Sequence, residues 1–328
     1  MLYLNYFQTV QQNPAAMKRR EFITNTASAM AAMSLAGITT AFRIKEMPYR
    51  ILGKTGLKVS LLGVGGHHIG NRSISDETSK AVIRGAIDNG VNFLDNAWHY
   101  NDGRSEELMG KALLDGYREK VYLMTKHHGH DPETARQHLQ ESLTRLQTDY
   151  IDVWQFHEIM TLAEVEKIYS SGVLDFVQKM KDQGKIGHIG FTGHANPAVH
   201  RAMLEKGFDW ETVQMPINVL DHHYLSFSQE IIPMLRERNI GIIGMKSAAS
   251  GRIVRENIAS ARECLTFTMS LPVSTLISGM EKLEFLNENL ETARNFTPMG
   301  EDEMAALLDR TYDAAQGGQF EWYKKTEF

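Results

Sequence analysis

From residue 46 onward, short runs of apolar, β-branched and aromatic residues alternate with longer stretches whose apolar positions recur at helical spacing. YRILGKTGLKVS at 49–60 reads as a β-hairpin turning at Lys54-Thr55-Gly56. Eight apolar runs follow, at 61–66, 91–95, 121–126, 150–157, 186–193, 213–217, 240–246 and 273–279. Helical patterns occupy 76–89, 105–115, 132–147, 170–183, 197–206, 226–238, 254–269 and 281–293, and 299–315 makes one further helix. Ser105, followed by Glu106 and Glu107, reads as the first strong helix cap. Strands buried on both faces appear as short apolar runs, and a repeated strand-plus-helix unit builds a parallel sheet. The pattern therefore predicts an α/β fold: a (β/α)8 TIM barrel with an N-terminal β-hairpin and an extra C-terminal helix, in one domain over 46–328. A doubly wound sheet is the runner-up, weakened because no GxGxxG motif follows the first strand.

Chemistry gathers at strand C-terminal ends in such folds. Asp95, Lys126 and His157 recur every 31 residues, each closing an apolar run, which predicts one site built from three consecutive strands. Tyr100, in the loop NAWHYNDG, can fold back over the same barrel mouth. A phenol is a poor acid at neutral pH, but an adjacent ammonium favours its ionised form and lowers its pKa. Lys126 would supply that charge, Asp95 would hold Lys126 cationic, and His157 would position a substrate carbonyl oxygen for protonation by Tyr100. The set suits carbonyl reduction by an external hydride. No residue type present supplies hydride, so a nicotinamide cofactor is implied.

Composition narrows the picture mainly by exclusion. The 328 residues, 42% hydrophobic and 23% charged, suffice for one large core. A net charge of −5 without a sustained basic run beyond the N-terminus argues against a nucleic-acid surface. The single cysteine, Cys264, excludes intramolecular disulfides and cysteine-held iron–sulfur clusters, and reads as a small buried hydrophobe. The first 41 residues form a separate leader. Lys18, Arg19, Arg20 and Glu21 precede a mildly apolar, small-residue stretch ending near Thr39-Thr40-Ala41, which resembles a twin-arginine signal peptide. Met17 is an alternative start, and the polar residues Thr24, Asn25, Ser28 and Ser34 argue against a stable membrane span. These features predict an exported, periplasmic protein that meets the twin-arginine machinery, or a cytoplasmic one if the leader is not used.

The block GVNFLDNAWHYNDGRSEELMGKAL at 90–113, YLMTK before Lys126 and DYIDVWQFH before His157 resemble the aldo-keto reductase family. The likeness runs over roughly residues 49–293. It implies a (β/α)8 barrel, usually NADP(H)-dependent, that interconverts aldehydes or ketones with alcohols. Tyr100 would be the acid, Lys126 and Asp95 its tuning pair and His157 the orienting group. It further places Gly65, Gly66 and His67 beneath the nicotinamide ribose, Thr192 and Gln214 on the carboxamide, Gly279 at the phosphates, and Asn289 on the adenine. Three departures stand out. Thr192-Gly193 replaces a family serine-asparagine pair, and Met245 replaces the aromatic that commonly stacks on nicotinamide. Met280, Glu281 and Phe285 occupy positions where hydroxyls and an arginine often grip the ribose 2′-phosphate. Glu281 would repel that phosphate unless Lys282 or Lys246 compensates, so NAD use is a live expectation beside NADP.

The mouth is rich in histidine: His67 and His68 after the first barrel strand, His99 after the second, and His127, His128 and His130 after the third, with Trp98 beside them. A polyhydroxylated, sugar-like carbonyl substrate would find hydrogen-bond partners there, with His68, Trp98 and His127 lining its pocket. The same cluster supports a second class, a metal-dependent barrel hydrolase using His67, His68, His127 or His157. Against it, Lys126 sits among the would-be ligands and Tyr100 has no role. A non-catalytic nucleotide-binding regulatory subunit is the third reading, weakened because the four reactive positions are intact.

Overall fold

The computed structural model describes residues 46–327; the leader and its twin-arginine pair lie outside the described residues. The expected hairpin is present as β1 (Tyr49–Ile51) and β2 (Lys58–Ser60), paired antiparallel, with Gly56 at φ 72° supplying the left-handed residue of the turn. Eight parallel strands close into the barrel: β3 (Leu62–Gly65), β4 (Phe93–Asp95), β5 (Tyr122–His127), β6 (Ile151–Phe156), β7 (Ile186–Thr192), β8 (Thr212–Pro216), β9 (Gly241–Met245) and β10 (Thr275–Ser278). β10 pairs with both β9 and β3, which completes the ring. This fold and its hairpin are those expected from the apolar pattern.

Alternation along the strands divides the core. Phe93, Met124, Val153, Ile243 and Ile277 point inward, where Leu52 and Val59 of the hairpin join them, so the hairpin plugs one end of the barrel. Gly241 makes room for it, because a Cβ there would lie 2.7 Å from the Leu52 side chain. The outward residues, such as Leu62, Leu94 and Leu123 on one side and Trp154, Phe156 and Phe191 on the other, pack against the surrounding helices. The C-terminal helix Glu301–Ala315 buries Leu307 and Ala315 against Leu220, Ile253 and Phe267, where Cys264 is also buried as a small hydrophobe.

The helical pattern at 170–183 is helix Val173–Asp182, and before it, across Gly172 with φ 82°, lies a further helix, Leu162–Ser170, that the pattern does not include. Thr161 starts this further helix through a reciprocal capping box with Glu164. The pattern at 254–269 resolves into Arg252–Arg255 and Ala261–Ser270, the latter begun by the Ser260–Glu263 box. Ser105 is not a cap. It lies buried within helix Arg104–Ala112, whose capping position is held by the left-handed Gly103, whereas the earlier helix at Asp76–Asp88 is capped by the Ser75 side chain. Among the described residues, no helix is long and apolar enough to cross a membrane.

Candidate active site

Strand pleating decides which strand-end residues meet. Two residues beyond the inward Phe93 of β4 comes Asp95, and two beyond the inward Met124 of β5 comes Lys126. Both are almost fully buried, at 3% and 1% exposure, and their side chains form an ion pair. Lys126 Nζ also donates to the Asn96 carbonyl at 2.7 Å and to Tyr100 Oη at 3.3 Å. Gln214 Nε2 on β8 donates to the other Asp95 oxygen at 3.1 Å. The barrel thus orients both carboxylate oxygens and aims the ammonium at the phenol.

Tyr100 reaches this point because the chain turns sharply after it. Asn101 and Asp102 take φ 52° and 56° and Gly103 takes φ 89°, conformations that Asn, Asp and Gly tolerate best. Asn101 Nδ2 ties the turn to the His67 carbonyl at 2.8 Å and to Ser105 Oγ at 3.0 Å. His157, at the end of β6, closes the group with its ring centroid 5.4 Å from that of Tyr100. The structure therefore brings Asp95, Lys126 and His157 together at three consecutive strand ends, with Tyr100 folded over them from its loop.

The electrostatics differ from expectation at Tyr100. Burial, reinforced by Asp95 and Glu158, raises the phenol well above its ordinary value despite the nearby ammonium. Desolvation also pushes Asp95 up and Lys126 down, and each is held against that trend mainly by the other. Burial, with Lys126 next, keeps His157 well below the usual imidazole value, so its ring is neutral and can donate one N–H.

Two of the three expected pocket residues lie elsewhere. His127 follows the inward Lys126, so it points outward, where it is fully buried and stacks on Trp154 at 3.9 Å. Trp98 stacks on His138 at 3.7 Å and donates from Nε1 to Glu141 Oε2 at 2.7 Å, both on helix Pro132–Arg145. His68 stays near the site but is engaged, its Nδ1 2.7 Å from Glu281 Oε1. The rings that do crowd Tyr100 are His67 at 5.2 Å and His99 at 5.1 Å, with His128 4.6 Å from His99.

Pattern reading also missed Glu158 and His194. Glu158 follows His157 in a left-handed conformation, φ 59°, and its carboxylate accepts from His194 Nε2 at 2.8 Å. That bond is the main reason Glu158 is lowered to about 2. Both follow barrel strands and were accessible to the strand-end rule that located Asp95, Lys126 and His157. Tyr323, whose ring lies 5.6 Å from His194, had no local signal.

The aldo/keto reductase family pattern matches residues 61–271 of this chain. The chain belongs to the aldo/keto reductase family. Among curated relatives, L-galactose dehydrogenase of Arabidopsis thaliana is 26% identical, with 80% of this chain and 95% of that protein covered. An uncharacterized oxidoreductase of Bacillus subtilis is 30% identical over 62% of this chain and 68% of its own length. In fold, the chain resembles the holo form of an aldo-keto reductase from Bacillus halodurans, at TM-score 0.68 and 22% identity, covering 81% of this chain and 96% of that one. It also resembles the Klebsiella pneumoniae aldo/keto reductase in complex with NADP and acetate, at TM-score 0.66 and 21% identity, covering 80% and 95%. This aldo/keto reductase is thus an oxidoreductase with a (β/α)8 barrel, and neither the hydrolase nor the regulatory-subunit reading gains support.

The positions expected to hold a nicotinamide nucleotide in an aldo/keto reductase fit one in most respects. Gln214 Oε1 is buried without a partner beside Asp95, an acceptor suited to a carboxamide N–H. Thr192 is buried at the end of β7, and Met245 ends β9 with Lys246 following at φ 56°. Gly65 and Gly66 bring bare backbone to the end of β3, and a Cβ on Gly66 would lie 2.7 Å from the Asp95 carbonyl. Asn289 donates to Ser278 Oγ at 3.0 Å, which ties helix Leu283–Arg294 to the end of β10. Met280 does not fit: its side chain is fully buried among Leu276, Leu286 and Leu290, so it cannot face a ribose. Gly279 has a second occupant, since a Cβ there would lie 2.1 Å from the His68 ring.

Proposed function

We propose that this aldo/keto reductase interconverts a polyhydroxylated aldehyde or ketone with the corresponding alcohol, with Tyr100 as the proton donor and acceptor. The carrying observation is the contact of Tyr100 Oη with Lys126 Nζ inside the buried pair with Asp95. A bound nicotinamide dinucleotide would supply or accept the hydride. Gly65, Gly66, Thr192, Gln214, Met245 and Asn289 would hold it, and Lys246 and Glu281 would flank its charged end. In reduction, neutral His157 donates a hydrogen bond to the carbonyl oxygen and Tyr100 protonates that oxygen as negative charge develops on it. Lys126 stabilises the phenolate left behind, and Asp95 with Asn96 fixes the ammonium. In oxidation the same groups run in reverse. The sugar-like substrate class is supported by the histidine-lined mouth and by the likeness to L-galactose dehydrogenase.

NADP is the expectation from the family, whereas Glu281 favours NAD because a carboxylate suits a free 2′-hydroxyl better than a phosphate. Its pairing with His68 reduces that repulsion without removing it. Fluorescence titration with NADH and NADPH should show binding of both, with Glu281→Gln tightening NADPH and leaving NADH nearly unchanged. Failure of the wild type to bind either nucleotide would overturn the oxidoreductase mechanism.

We infer in addition that the leader directs export of the folded, nucleotide-loaded protein through the twin-arginine route. The support is the order of Arg19-Arg20, a mildly apolar stretch and small residues near Ala41. Cell fractionation of the Arg19→Lys, Arg20→Lys double variant should find it retained in the cytoplasm. Export of that variant at the wild-type level would sink the inference.

A further inference from the structure

Three imidazoles converge at the mouth from the ends of three consecutive strands. His99 follows β4, His128 follows β5 and His157 follows β6. One ring nitrogen from each lies within 4.8 Å of the others, and His128 Nε2 is 3.0 Å from His99 Nδ1. Only His157 has a part in the proton chemistry above, and its Nδ1 is buried without a hydrogen-bond partner. We propose that His99, His128 and His157 form a binding site for one zinc-class divalent ion, and that the ion blocks the carbonyl position reversibly.

The geometry and the donor set agree with this assignment. Zinc–imidazole bonds of about 2.0–2.1 Å at tetrahedral angles place ligand nitrogens about 3.3 Å apart. The His99–His128 pair is already near that separation, and with all three nitrogens within 4.8 Å of one another the set has only to contract to hold one ion. An all-imidazole set selects zinc, cobalt, nickel or copper over magnesium or calcium, which prefer oxygen. Three protein ligands leave a fourth position open to solvent. Two charges bear on the ion. The Glu158 carboxylate lies close enough to act on both His99 and His128 and favours a dication, while Lys126 opposes it. The ion would stand where His157 meets a carbonyl oxygen, so competition with substrate rests on the proposed function, whereas metal binding itself does not.

The test uses untagged protein, since a polyhistidine tag would bind the probe, and chelator-washed samples with nucleotide present. Titration with Co2+ should give one equivalent of binding with the visible d–d bands of nitrogen-coordinated, low-symmetry cobalt, and Zn2+ should displace it. His99→Gln and His128→Gln should each weaken Co2+ binding about tenfold or more, by loss of one ligand. Thermal melts check that each variant is folded, and either folded variant suffices for the comparison. Absence of a d–d spectrum in the wild type, or an unchanged Co2+ affinity in a folded variant, would overturn the site. If Co2+ binds as described but no carbonyl substrate is reduced by any form, the metal site stands and the proposed reaction fails.

Discussion

Burial, with Asp95 and Glu158 close by, raises the Tyr100 phenol well above its ordinary value although Lys126 Nζ lies 3.3 Å from its oxygen. At neutral pH the residue is therefore a loaded acid rather than a phenolate. The sign follows directly. Reduction needs the protonated phenol, so its rate should stay level from neutral into mildly alkaline pH, while oxidation needs the phenolate and should rise with pH over the same range. Profiles of kcat against pH in the two directions check this, and an alkaline loss of reduction near neutrality would contradict it. Tyr100→Phe should lower kcat by about 10²–10⁴-fold with nucleotide affinity unchanged, because the lost group acts on the carbonyl oxygen alone. Retention of wild-type kcat would remove Tyr100 from the mechanism. Neighbouring positions show how narrow the residue-level reading is. Lys126 and His127 are adjacent, yet one faces the reacting atoms and the other is stacked on Trp154 outside the strands.

Elements were legible where burial leaves a pattern that depends on nothing distant. All eight barrel strands fall where the apolar runs place them, because both strand faces are covered and the run itself is the signal. The three ionisable strand ends were legible for the same reason, as was the Tyr100 turn, whose Asn-Asp-Gly sequence announces left-handed backbone. What failed was the use of alternation at the strand ends: period two assigns His127 to the outer face as soon as Lys126 is inward. Helix Leu162–Ser170 was also within reach, through the Thr161–Glu164 capping box. The hairpin was read as a hairpin, but its role as a plug depends on Leu52 meeting residues far along the chain, such as Ile243. Leu52→Ala should remove apolar contacts at the barrel floor and cost about 2–5 kcal/mol. Urea denaturation would measure that loss. Because the floor is at the opposite end from the strand C-termini, nucleotide affinity should not change, and an altered affinity would show that the plug and the site are coupled.

At the scale of the whole molecule, the barrel mouth is completed by the last residues of the chain. The Lys325 backbone N–H donates to the Ala195 carbonyl at 2.8 Å, and Asn196 Nδ2 donates to the Lys325 carbonyl at 3.0 Å, which fastens the tail to the loop after β7. Tyr323 is buried there, with Lys246 Nζ 5.0 Å from its ring centroid and Asn218 Nδ2 3.3 Å from its hydroxyl. No local pattern announces this arrangement, since it joins residues more than a hundred positions apart. Beneath it, Lys324 is fully buried between Asp221 at 2.8 Å and Glu321 at 3.0 Å, and also donates to the Tyr224 carbonyl at 2.6 Å. One cation thus serves two carboxylates, and Glu321 is already raised by burial. Lys324→Met strands both carboxylates in the interior, which should cost about 3–5 kcal/mol at neutral pH. The variant's Glu321 should rise further, so the deficit should be smallest below its unfolded value and grow as pH increases through the raised folded value. Urea melts at acidic and neutral pH would test this, and a deficit that grew on acidification would refute it. Loosening the tail also frees Tyr323 from His194 and Lys246, so the same variant should bind nucleotide or substrate more weakly under conditions where it remains folded.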